Sequence, residues 1–170
     1  MKMKRKAVFL DRDGIINQKP KEHDYVKSWD EFKFIPGVDT LIREINSKGY
    51  FVIIITNQRG IARGLVKEDT VKEIHCNMVR KLKEKGAIIN AIYYCPHNIE
   101  DKCNCRKPKP GMILKAVKDL NIDLKRSILI GDDKSDIMAG KKAGCETILL
   151  KNFECSRAIH LLQSLDKDLK

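Results

Sequence analysis

The feature that most constrains this chain is a set of short apolar runs that end in polar, largely acidic residues. Ala7 to Leu10 leads into Asp11-Arg12-Asp13, Tyr50 to Thr56 closes on Thr56-Asn57-Gln58, and Ser127 to Ile130 leads into Gly131-Asp132-Asp133. Apolar runs without alternation read as strands buried on both faces, the habit of parallel sheets. Ile88 to Tyr94 and Thr147 to Leu150 are similar, giving about five strands.

The segments between them repeat at helical spacing. Val38, Leu41, Ile42 and Ile45 form one apolar face, Val71, Ile74, Met78 and Leu82 a second, and Ile113, Ala116, Val117 and Leu120 a third. Ile137 to Ala143, stopped by Gly144, and Ala158 to Leu169 add two more helices. Strands alternating with helices predict an α/β fold, a Rossmann-like, mostly parallel sheet flanked by helices. At 170 residues, with no internal repeat or linker, the chain is expected to be one domain, residues 1–170.

Such sheets bind ligands beyond the carboxyl ends of their strands. Asp11, Asp13, Thr56, Asp132 and Asp133, distant in sequence, are therefore expected to meet at one edge. The connection Gly14 to Ile35 has no periodicity and follows the first acids directly, so it is expected to flank the site, with Trp29 as its anchor.

Composition narrows the class. With 42% hydrophobic and 34% charged residues the chain reads as folded and soluble. The basic start is followed by too short an apolar run for a signal peptide, and no stretch suits a bilayer, so a cytoplasmic location is expected. The net charge of +11 suits nucleic acid or phosphorylated metabolites. Its lysines are scattered rather than gathered in an aromatic-interleaved stripe, which favours the metabolite.

The acids suit a hard metal and phosphate. Magnesium takes one or two protein carboxylates and leaves positions for phosphate, and Asp11 and Asp132 could supply them. A carboxylate beside such an ion can attack phosphorus and form a covalent intermediate. Asp13, two residues on, projects to the same side as Asp11 and suits proton transfer, provided that burial or nearby negative charge raises its pKa. The Thr56 hydroxyl and the N–H groups after it, at Asn57 and Gln58, suit phosphate oxygens, and Lys107 would complete the site. Each residue alone could be a turn or a helix cap; their joint placement at three strand ends is what points to chemistry.

Leu10-Asp11-Arg12-Asp13-Gly14-Ile15-Ile16-Asn17, Thr56-Asn57-Gln58 with Gly60-Ile61-Ala62-Arg63-Gly64, and Gly131-Asp132-Asp133 resemble the successive motifs of the haloacid dehalogenase superfamily of phosphatases. The resemblance implies Asp11 as nucleophile and Asp13 as general acid/base with its carbonyl on magnesium. It also implies Thr56 on phosphate, Lys107 on the phosphoryl group and Asp132 as a magnesium ligand. Asp133 and Asp136 both fit the last acidic motif, and Asp133 is the favoured partner of Asp132. Asn17 is a turn or a substrate residue.

Of the six cysteines, Cys95, Cys103 and Cys105 crowd around His97. Three thiolates and one imidazole form a closed tetrahedral set for a structural zinc that would pin a loop. Cys76, Cys145 and Cys155 read as small buried hydrophobes, and His75 and His160 as surface or packing residues. The loop would aim Arg106 and Lys107, which follow its last ligand.

Cys95-Pro96-His97, Cys103-Asn104-Cys105-Arg106-Lys107-Pro108-Lys109-Pro110-Gly111-Met112 and Tyr93-Tyr94 resemble one branch, the heptose bisphosphate phosphatases and the related histidinol phosphatases. That branch lacks a large cap domain. The resemblance implies removal of the C7 phosphate from D-glycero-D-manno-heptose 1,7-bisphosphate, on the way to nucleotide-activated heptose. Histidinol phosphate is the alternative, and a nucleic-acid 3′-end activity a more distant one. His23, Tyr25, Arg59 and Arg106 become candidates for holding the sugar and its second phosphate, although Arg59 and extra residues before His23 depart from the branch pattern. A monomer is expected.

Overall fold

The computed structural model describes the backbone of residues 4–21 and 24–168 and the side chains as far as residue 164. The elements run β1 (Ala7–Leu10), α1 (Val38–Ser47), β2 (Phe51–Asn57), α2 (Glu68–Glu84), β3 (Ala91–Cys95), α3 (Gly111–Leu120), a 3-10 turn (Leu124–Arg126), β4 (Ile128–Gly131), α4 (Lys134–Ala143), β5 (Glu146–Leu149) and α5 (Cys155–Asp168). His23 and Leu169 lie outside the described residues.

The five strands form one parallel sheet in the order β3-β2-β1-β4-β5. Alternate residues of each strand face opposite sides, which divides the core into two layers. Val8, Leu10, Val52, Ile54, Ile128 and Ile130 pack with α1, α2 and α5. Ala7, Phe9, Ile53, Ile55 and Leu129 pack with α3 and α4. Because both faces are covered, β1, β4 and most of β2 have no polar alternation, as expected of buried parallel strands. Apart from isolated bridges, every described strand belongs to this sheet, and no large cap interrupts it.

β3 starts three residues later than its apolar run suggests. Ile88 is 41% exposed, its N–H donates to Asn46 Oδ1, and Asn90 exchanges hydrogen bonds with Val52, so the first residues of that run form an irregular connection tied by side chains. Cys76 is exposed rather than buried, whereas Cys145 is buried and Cys155 half-buried. Cys76 follows two buried residues of α2, Ile74 and His75, and so turns off the apolar stripe.

The connectivity fixes the site. After β1 the chain builds outward through β2 and β3, then returns to place β4 on the other side of β1. The crevice at this reversal lies outside the carboxyl ends of β1 and β4, where Asp11 and Asp132 stand. Gly14, with φ +96°, lets the backbone pass so close to Asp132 that any Cβ there would collide with its carboxylate. The long connection folds over this crevice, tied down by the Trp29, Phe32 and Phe34 rings, with centroids 5.1 to 6.1 Å apart.

Candidate active site

A cavity of about 330 Å³ opens at the strand ends. Asp11, Asp13, Asp132 and Asp136 lie on its lining with Thr56, Asn57, Gln58, Arg106 and Lys107, and Lys19, Lys21 and Tyr25 come from the long connection.

Asp11 is buried at the end of β1, and its Oδ1 accepts from the Arg12 N–H at 2.7 Å and from Lys107 Nζ at 2.8 Å. Burial pushes its pKa up to about 7, against the pull of Lys107 and with the push of Asp136 and Asp13. Lys107 Nζ also lies 2.6 Å from Asp136 Oδ1 and donates to the Ile55 carbonyl at 3.1 Å. Its ammonium stays charged because the attraction of Asp11 and Asp136 outweighs desolvation. Asn57 grips the main chain of Lys107 from both sides, donating to its carbonyl at 3.2 Å and accepting from its N–H at 3.1 Å.

The choice between Asp133 and Asp136 is corrected by the start of α4. Asp133 is the helix cap, its carboxylate accepting from the Ser135 N–H at 2.8 Å, while Asp136 is 1% exposed and carries the ion pair with Lys107. The two acids form a reciprocal capping box, and that Asp-x-x-Asp spacing was the available signal. Asp133 still borders the cavity, where only its location supports a role toward substrate.

Asp13 is gripped by donors. Arg12 Nη2 donates to its Oδ1 at 2.9 Å, Asn17 Nδ2 to Oδ1 at 2.9 Å, and Gln58 Nε2 to Oδ2 at 3.1 Å. Burial would raise its pKa, but Arg12 and these donors hold the carboxyl below the usual carboxylate range, contrary to the raised value expected of an acid. Asn17 is thus fully buried in support of Asp13. Gln58 also donates to Thr56 Oγ1 at 2.8 Å, which leaves the Thr56 hydroxyl proton for an acceptor in the cavity.

Other residues sort differently. Arg59 is drawn to Asn98 and to Glu100 at 3.9 Å, outside the cavity lining. Arg106 lines the cavity, and its buried Nη1 has no protein partner. The Tyr25 ring packs on Gly60, where a Cβ would sit 2.9 Å from it. Two residues were missed. Lys19 Nζ lies 2.6 Å from Asp132 Oδ2, for which the irregular connection gives no signal. Arg12 is 1% exposed, and its place between two same-side acids at a strand end was the clue that it points the other way.

Two donor groups suit metals. Carboxylate oxygens of Asp11, Asp132 and Asp136 lie within 4.8 Å of one another, and Asp132 Oδ1 is buried without a hydrogen-bond partner. Such an oxygen-only, acid-rich cluster fits a hard divalent cation. In the second group, Cys95 Sγ lies 3.6 Å from His97 Nδ1 and from Cys103 Sγ. Cys105 Sγ lies 3.2 Å from His97 Nδ1 and 3.5 Å from Cys103 Sγ. These separations are close to the edge of about 3.7 Å expected of a zinc–thiolate tetrahedron.

A parallel sheet with the reversal beside β1, an acid pair on β1, a threonine on β2, a buried lysine and acids after β4 define a hydrolase of the haloacid dehalogenase class. The family model "HAD-hyrolase-like" matches residues 104–161. The chain is 44% identical over 154 residues to a D-glycero-beta-D-manno-heptose-1,7-bisphosphate 7-phosphatase of Pasteurella multocida, covering 86% of this chain and 82% of that one. It is 43% identical over 152 residues to the alpha-anomer 7-phosphatase of Campylobacter jejuni, covering 89% and 86%. A crystal structure of the D,D-heptose 1,7-bisphosphate phosphatase of B. bronchiseptica, complexed with magnesium and phosphate, superposes with a TM-score of 0.81 at 36% identity, over 92% of this chain and 86% of that one. The chain therefore belongs to the heptose bisphosphate phosphatase family of the haloacid dehalogenase superfamily, and it is a phosphatase. Among the described residues no helix is long and apolar enough to cross a membrane.

Proposed function

We propose that this chain removes the C7 phosphate of a D-glycero-D-manno-heptose 1,7-bisphosphate, with Asp11 as nucleophile and Asp13 as general acid and base. The observation that carries the reading is the buried Asp11 carboxylate, paired at 2.8 Å with Lys107 and within 4.8 Å of a carboxylate oxygen of Asp132 at the mouth of the cavity. Asp11, Asp132 and the Asp13 main-chain carbonyl would hold magnesium, which neutralises charge between nucleophile and phosphate when bound.

The side chains account for the remaining steps. Lys107 keeps Asp11 oriented and offers positive charge to the phosphoryl oxygens, while Asp136 fixes the ammonium. The Thr56 hydroxyl and the Asn57 N–H donate to the same oxygens, the Gln58 N–H being taken by the Cys95 carbonyl at 2.8 Å. Asp13 protonates the sugar oxygen as it leaves and then takes a proton from the water that opens the aspartyl-phosphate. The dianionic phosphate, arriving beside Asp13, provides the negative charge that raises its pKa for the first task.

Substrate choice follows from charge. Lys19, Lys21 and Arg106 line the cavity, which suits a second phosphate better than the ammonium of histidinol. The Cys95, His97, Cys103 and Cys105 group would hold a structural zinc that braces Arg106 and Lys107. The product would feed nucleotide-activated heptose.

The test is phosphate release with magnesium from both heptose bisphosphate anomers, histidinol phosphate and a 3′-phosphorylated oligonucleotide, with Asp11→Asn as blank. A heptose bisphosphate leading in kcat/KM by orders of magnitude is the expected result, and the preferred anomer assigns the chain between its two kinds of relative. Histidinol phosphate or the oligonucleotide leading would overturn the sugar reading.

A further inference from the structure

Arg12 is an expensive residue to bury. It is 1% exposed, always charged, and carries five N–H donors in a rigid fork with no acceptor. One edge of the fork is used on Asp13: Nε and Nη2 reach Oδ1 at 3.3 and 2.9 Å, and Nη2 reaches Oδ2 at 3.2 Å. The other terminal nitrogen, Nη1, lies 3.2 Å from Nε2 of His75, sixty-three residues away on α2.

Arginine cannot accept, so His75 Nε2 must, which fixes the imidazole as neutral with its proton on Nδ1. The surroundings agree. His75 is 5% exposed and faces Arg12 and Asp13, with the Tyr94 ring edge-on at 5.6 Å. Burial first, and then the Arg12 charge, hold its pKa down to about 3. Tyr94 is anchored in turn, its hydroxyl donating to Glu68 at the start of α2 at 2.6 Å. The Phe32 ring lies 5.9 Å from the guanidinium.

We propose that His75 is a positioning residue for proton transfer, holding the buried Arg12 fork so that its other edge aims the Asp13 carboxylate. This rests on the reading of Asp13 as general acid. The acceptor that Nη1 finds is Nε2 of His75. Without its acceptor, Nη1 is left buried and unpaired, and the guanidinium gains by turning, carrying Asp13 with it. Misplacement by about 1 Å is enough to cost around a hundredfold in rate.

The test uses leaving groups, because only a poor one needs the Asp13 proton. The probes are D-glycero-D-manno-heptose 1,7-bisphosphate, whose C7 ester is an alkyl phosphate, and p-nitrophenyl phosphate, whose phenolate departs unprotonated. In His75→Leu, kcat/KM for the alkyl phosphate is expected to fall about a hundredfold, at the lower end of the range typical of general acid catalysis, and that for the nitrophenyl ester less than about threefold. His75→Gln, which returns an acceptor near Nε2, is expected to recover most of the alkyl activity. Magnesium affinity by calorimetry should stay unchanged in both variants.

Equal losses on both substrates, or no better activity in Gln than in Leu at matched folded fraction, would assign His75 to packing alone. No loss in His75→Leu would overturn the proposal as well. Wild-type protein inactive on every phosphomonoester would remove the Asp13 reading itself, a failure distinguishable from the others.

Discussion

Replacing Lys107 by methionine keeps an aliphatic stem in place but removes the charge between Asp11 and Asp136. Lys107 Nζ lies 2.8 Å from Asp11 and 2.6 Å from Asp136, with the side chain only 3% exposed, so solvent screens little of the attraction. At an effective dielectric of about 20, such a pair is worth about 4 to 6 kcal/mol, or about three to four pKa units. Part is relieved by local relaxation and water entering beside the shorter side chain, which leaves a rise of about two units on Asp11. Starting from about 7, Asp11 would then be ionised in about one molecule in a hundred at neutral pH. Since about half the unmodified protein is ionised at pH 7, the variant is expected to lose about fiftyfold in kcat/KM there and to recover part of it toward pH 9, as the nucleophile ionises. Phosphate release from pH 6 to 9 at limiting magnesium, where the cation does not itself hold Asp11 ionised, scaled to the folded fraction by circular dichroism, measures this. A loss under about tenfold, or one that does not vary with pH, would refute the charge argument.

Three further outcomes are expected. Without divalent metal, the protein should lose thermal stability between about pH 4 and pH 7. Asp11 has a folded pKa of about 7 against 3.8 for an unperturbed aspartate, so the native state binds the extra proton, and stability falls by about 4 kcal/mol as pH rises through that window. Melting curves in chelator should show this, with Asp11→Asn flattening the slope. Cys105→Ser should lower bound zinc from about one to near none per chain by elemental analysis, and depress both melting temperature and turnover. Lys19→Gln should tighten magnesium binding about two- to fivefold by calorimetry, since an ammonium 55% exposed competes only weakly for Asp132. An unchanged affinity would mean that Lys19 leaves Asp132 without cost.

The parts legible in the sequence were those written in local patterns. Uninterrupted apolar runs marked the strands, because burial on both faces removes alternation, and their acidic ends marked the crevice where Asp11, Thr56, Lys107 and Asp132 meet. The cysteines and His97 were recognisable because their ligands lie close along the chain. What failed depended on contacts between remote segments. His75 shares the apolar stripe of α2 with Val71 and Met78, so its burial was readable, but its partner Arg12 lies across the fold. Arg59 could not be separated from Arg106 by composition; only the fold gives one to Glu100 and the other to the cavity.

The three thiols beside His97 have a consequence for inhibition. Burial alone would raise the Cys103 thiol, but the Arg106 N–H and the neighbouring cysteines bring it down to about 7, so without a metal much of it is thiolate at neutral pH. Cys95 and Cys105 lie within 3.6 Å of it, close enough to resolve an oxidised Cys103 into a disulfide. Cys105 stands two residues before Lys107, so a soft electrophile or mild oxidant acting there pulls on the lysine without meeting a carboxylate. A mimic of the phosphorylated substrate must compete at the cavity, whereas a thiol-directed compound would disarm the enzyme from behind.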